Sequence, residues 1–135
     1  MLGWLNASHT LQIATGNDGH EILHSLVSNV MEAIETTKIE VAHLKIALQD
    51  EQGSILRVQV TRNEEKPAFV GALSGRVHDG ELLINLRAEA DPENLEKVIT
   101  DAFTSVLTGV AYDITKFAAF KPGQPVPTHR VLSLH

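Results

Sequence analysis

From His20 to about Thr37 the apolar residues Leu23, Leu26, Val27, Val30 and Ile34 recur at steps of three and four. That spacing lays a single stripe along a helix. The preceding GNDG, residues 16–19, reads as a turn, with Asn17 or Asp18 as the N-cap. Weak alternation over residues 8–15 predicts a short strand before it. Four alternating runs follow. Residues 39–48 put Ala42, Leu44, Ile46 and Leu48 on one face, and residues 54–62 put Leu56, Val58 and Val60 there. Residues 67–75 open on Pro67, which suits the first position of a strand. Residues 81–89 turn Leu82, Ile84, Leu86 and Ala88 inward. The connections DEQG, NEEK and GRVHDG are short and turn-like, so the expected arrangement of these four strands is an antiparallel meander.

A second helix begins at Asp91 as N-cap with Pro92 in the first helical position. Its stripe is Leu95, Val98, Ile99, Ala102, Phe103 and Val106, with Gly109 as the stop. The tail, residues 121–135, holds Pro122, Pro125 and Pro127 and is expected to be extended. Its apolar end, Val131, Leu132 and Leu134, suggests docking onto the body of the protein. One α+β domain results: a two-layer sandwich of an antiparallel four- to five-stranded sheet with both helices on its apolar face.

Composition narrows the chemistry. The 135 residues contain no Cys, which excludes disulfides, thiolate catalysis and Cys-ligated zinc. A net charge of −6 argues against a broad nucleic-acid footprint. With no basic-then-apolar leader and no long apolar run, the expected location is cytoplasmic, with no membrane partner. No phosphate loop, dinucleotide-binding glycine motif or nucleophile elbow occurs, so an enzyme is the less favoured class.

One stretch carries a catalytic pattern. His20-Glu21-Ile22-Leu23-His24 matches His-Glu-x-x-His, in which two imidazoles one helical turn apart bind zinc and the glutamate polarises a bound water. The helical projection puts both histidines at the rim of the apolar stripe. Glu21 falls among Ser25, Ser28 and Glu32, on the side expected to face solvent. The favoured reading is therefore two rim histidines and no cofactor. Zinc held by His20 and His24, with Glu21 as base, is the alternative.

The polar sides of the strands offer a second candidate. His43 and Lys45 leave the first meander strand on one side, Arg57, Gln59 and Thr61 the second, and Asn85, Arg87 and Glu89 the fourth. Cations gathered on one face suit a phosphate, a carboxylate or an acidic partner. Glu40 and Glu89 offset them, and no aromatic platform for single-stranded nucleic acid is expected on this face.

Three stretches with a nearby Trp4 carry a resemblance: VAHLKIAL (41–48), ELLINLRAEADPENLEKVI (81–99) and FKPGQPVPTHR (120–130). Together they resemble the C-terminal domain of CobW-type GTPases, nucleotide-dependent metal chaperones related to urease and hydrogenase maturation factors. The phosphate loop and Cys-rich metal motif of that family's GTPase half are not in this chain, so no catalytic residue carries over. The resemblance implies an accessory domain whose partner is a GTPase domain or another protein. It implies surface roles for His43, Lys45, His129 and Arg130. An uncovered sheet face and free strand edges also suggest a homodimer.

Overall fold

The computed structural model describes residues 2–107, 111–120 and 128–130. In chain order the elements are β1 (Leu2–Asp18), α1 (Gly19–Thr37), β2 (Glu40–Gln49), β3 (Ile55–Val60), β4 (Ala68–Gly71), β5 (Arg76–Glu89), α2 (Pro92–Val106), β6 (Ala111–Phe120) and β7 (Thr128–Arg130). The architecture is α+β, with one antiparallel sheet and two helices. Its sheet is wider than the four or five strands expected. Seven strands join in the order β4-β3-β2-β5-β1-β6-β7.

Both helices form for the reasons their stripes suggest. Asp18 caps α1 by accepting from the His20 backbone N–H at 2.9 Å. That hydrogen bond is the main reason its carboxyl is held below the usual range. At the other end Lys38 takes the left-handed conformation, φ 58°, and its N–H bonds back to the carbonyls of Glu35 and Ile34. The buried residues of α1 are Gly19, Ile22, Leu23, Leu26, Val27, Val30 and Ile34; those of α2 are Leu95, Val98, Ile99, Ala102 and Phe103. They join the inward residues of the sheet, among them Leu5, Leu44, Ile46, Val58, Leu82, Ile84 and Leu86, in one core. The Gly109 stop lies outside the described residues.

The meander is corrected at its last strand. β2, β3 and β4 follow one another as hairpins, but β5 pairs with β2 on one side and β1 on the other, giving a Greek-key order. Four inward apolar residues, Leu82, Ile84, Leu86 and Ala88, are each 1% exposed or less and require neighbours on both sides. β4 is only four residues long and forms the edge of the sheet, so it cannot supply one. Three strand limits move as well. The run at 67–75 stops at Gly71, where φ is 94° and a side chain would strike the Ile55 carbonyl oxygen. The run at 81–89 begins instead at Arg76, and the supposed turn GRVHDG is mostly strand, with Val77 and Gly80 buried. β1 extends from Leu2 to Asp18 through the supposed GNDG turn. Its pairing with β5 is offset between Gln12 and Asn17, where Gly16 at φ 73° leaves room for the His78 ring.

A bulge also turns the start of β2. Its register with β5 shifts between Val41 and His43, so Val41 is buried and Ala42, expected inside, is exposed. Here β3 has already ended. Asn63 takes over as neighbour: its Oδ1 accepts from the Val41 N–H and its Nδ2 donates to the Ile39 carbonyl, both at 2.7 Å.

To reach β2's far edge, the chain from β4 to β5 must cross the end of the β2–β3 hairpin, and two acidic residues secure that crossing. The buried carboxylate of Asp50 accepts from the N–H groups of Gln52 and Ser54 within the hairpin, and from Ser74 in the crossing segment at 3.1 Å. Glu51 accepts from the N–H groups of His78 and Asp79. Burial pushes Asp50 up, but its backbone donors (Ser74, Ser54, Gln52 and Gly53) together outweigh burial and hold it below the usual carboxylate range. Asp50→Ala strands those donors. Thermal denaturation is expected to show a melting point lower by roughly 5–10 °C, with partial recovery in Asp50→Asn, which keeps one accepting oxygen.

Candidate functional site

Alternation along the strands leaves one face of the sheet to the helices and turns the other outward. On that outward face the cross-strand register sets up rows. One row runs Val70–Arg57–Ala47–Leu83–Ser8 from β4 to β1. The next runs Ala68–Gln59–Lys45–Asn85–Asn6, and the third His43–Arg87–Trp4. Arg57, Lys45 and Arg87 therefore form a diagonal: each step moves one strand across and two residues along. Diagonal neighbours in such a sheet stand about 7–8 Å apart. The strand order thus brings together His43, Lys45, Arg57, Asn85 and Arg87, which are scattered over 45 positions of the chain.

Arg57 and Lys45 are exposed, and among the described residues neither has a carboxylate within ion-pair distance. Arg87 is braced differently, with its guanidinium carbon 4.6 Å from the centre of the Trp4 ring. Acidic residues border the diagonal instead of capping it. Glu40 and Glu89 are cross-strand partners at one end, and Glu81 lies opposite Gln49 toward the other. Thr61 drops out, since β3 ends at Val60 and the Thr61 hydroxyl donates to Glu65 at 2.8 Å.

Trp4 overturns the expectation of a face without aromatic residues. Leu83 and Val70 lie outside the expected polar set, yet they are 41% and 60% exposed on this face. Signals for both kinds exist in the sequence. Leu82-Leu83 is an adjacent pair, of which only one can face the core, and extending the period of β1 back from residue 8 puts Trp4 with the polar set.

His129 and Arg130 do not join the cluster. They lie on β7, with Cα partners Ala118 and Phe117 on β6, at the edge opposite β4. His129 shares the row of Lys45, but four strand spacings separate β2 from β7, about 19 Å. Val131, Leu132 and Leu134, on which the expectation of a docked tail also rested, lie outside the described residues.

The two histidines of the catalytic pattern have other partners. His20 Nδ1 is 3.4 Å from Asp18 Oδ1, beside the helix cap. The His24 ring stacks on Phe69 of β4, centroids 3.9 Å apart and planes 16° from parallel. Glu21 is exposed. Among the described residues, no three His, Asp or Glu side chains are grouped closely enough to hold a metal ion.

The helix layer has a groove of its own, about 650 Å³, between Asn29, Glu32 and Thr36 of α1 and Asn94, Lys97 and Asp101 of α2. It is open, and Ala33, Ile39, Val98 and Ala102 line it together with charged, amide and hydroxyl side chains. No described helix is long and apolar enough to cross a membrane. No family model, curated protein or solved structure matches this chain.

Proposed function

We propose that this chain is a non-catalytic binding domain that contacts a protein partner through the outward face of its sheet. The observation that carries this reading is the diagonal of Arg57, Lys45 and Arg87 beside the exposed Leu83, in a chain of net charge −6. Small anions are usually held in concave sites. A sheet face mixing cations with exposed apolar side chains suits the broad, partly apolar contact of a protein interface. The resemblance to the C-terminal domain of CobW-type GTPases supplies the partner class: a GTPase domain, with this chain as its accessory module.

Calorimetric titration against the GTPase domain of a CobW-type protein tests the proposal. The expected result is measurable binding that falls by about 100-fold in Lys45→Glu/Arg57→Glu, roughly tenfold for each desolvated charge reversed. Because both residues are exposed, the melting temperature of the double variant should stay within a few degrees of the parent. Equal affinity in the two proteins would remove this face from the interface.

A further inference from the structure

Resting on that reading, we infer that the outward face takes an acidic segment in extended conformation, lying along the diagonal from Arg57 through Lys45 to Arg87. The spacing is the first argument. Side chains on one side of an extended chain recur about every 6.7 Å. The diagonal steps are about 7–8 Å. Three carboxylates at positions i, i+2 and i+4 can thus meet three cations at once, the long Lys and Arg side chains absorbing the small mismatch.

Charge is the second argument. Lys45 and Arg57 have no carboxylate within ion-pair distance among the described residues, so an incoming acid displaces nothing. Arg87 is already held on Trp4 at 4.6 Å, so less side-chain freedom is lost when it binds. The Glu40–Glu89 pair and Glu81 repel an acidic ligand from the regions beyond the diagonal, which sets its direction as well as its affinity.

The apolar positions distinguish a protein segment from a nucleic-acid strand. Val70 is the cross-strand partner of Arg57, and Leu83 that of the adjoining Ala47. Both are exposed where a peptide has side chains to pack against them. A single strand of nucleic acid needs successive stacking rings. The ring beside the diagonal, Trp4, already has Arg87 over it.

Fluorescence anisotropy with the full chain tests the inference. The probe is a labelled nonapeptide with the core Glu-Thr-Glu-Thr-Glu, compared with an isomer whose three glutamates are contiguous and an alanine-rich helical peptide with glutamates every fourth position. The alternating peptide should bind at least tenfold tighter than either, and raising salt from about 50 to 300 mM should weaken it about tenfold. Lys45→Glu, at the middle of the diagonal, should reduce binding tenfold or more. Lys97→Glu on the helix layer should leave it unchanged. Equal binding of the three peptides, indifference to Lys45→Glu, or a preference for a single-stranded 12-mer oligonucleotide would overturn it. If the GTPase domain binds through this face and the peptides do not, the acidic segment is refuted and the protein-binding reading stands. If the double variant also binds the GTPase domain normally, both fall.

Discussion

Between pH 7.5 and pH 4 this protein is expected to lose on the order of 3 kcal/mol of stability through one residue, His9. His9 points inward from β1, is 4% exposed, and has its ring 4.7 Å from that of Phe103. Burial disfavours the imidazolium and pushes its pKa from 6.5 down to about 4. The folded pKa lies below the unfolded one, so between these values the unfolded chain binds the extra proton. The stabilisation is complete above about pH 6.5, fades as the pH falls, and is gone below about 4. Asp18, Asp50 and Glu51 act in a lower window. Hydrogen bonds from backbone N–H groups depress all three, so their contribution is lost only as the pH falls below the ordinary carboxylate range. Urea denaturation at pH 7.5, 6.5, 5.5 and 4.5 separates the two. The parent should be nearly level from pH 7.5 to 6.5 and weaken progressively from there to 4.5, while His9→Leu should stay nearly level until the carboxylates begin to titrate. The slope is the readout, since His9→Leu also changes packing. Equal slopes in both proteins would show that His9 is not kept neutral by the fold.

The same residue explains part of what the sequence concealed. The inward set of β1 is Leu5, Ala7, His9, Leu11 and Ile13, a clean period of two once a neutral imidazole counts as apolar. Read as polar, His9 interrupts it and shortens the strand to a weak fragment. β6 was missed for a related reason. Its register against β1 slips between Ser8 and His9, opposite Lys116 and Ile114, so an extra residue breaks the alternation midway. The helices were legible because their stripes are local and need no partner to be recognised. Strand order is not local. Hairpin-length connections suggested a meander, and only the burial of β5 on both sides of its length, with Asp50 and Glu51 pinning the crossing, sets it between β1 and β2. The candidate site inherits that limit. Alternation was enough to turn Lys45, Arg57 and Arg87 outward, but their diagonal exists only because β5 lies beside β2.

Phe103→Ala should be the most damaging single truncation in the helix layer, costing about 3–5 kcal/mol. Among the described residues Phe103 is the largest fully buried side chain, 1% exposed, and it joins α2 to the centre of β1 through its contact with His9. Deleting the ring removes its burial and leaves a cavity that neither a helix tied at Asp91–Pro92 nor a strand paired on both edges can close. The cavity also borders a polarisable ring. Water entering it would hydrate the imidazole, so the pKa of His9 should rise toward its ordinary value and the acid-dependent loss described above should shrink. Two measurements therefore move together: the denaturation midpoint at pH 7.5 falls, and the His9 resonance, followed by NMR, titrates at higher pH than in the parent. A variant that loses stability while His9 still titrates near pH 4 would mean that the cavity collapses or stays dry, and that the depressed pKa owes nothing to Phe103. Near-parental stability would mean that α2 can settle onto the sheet without its central anchor, against the close packing of the core on which this prediction rests.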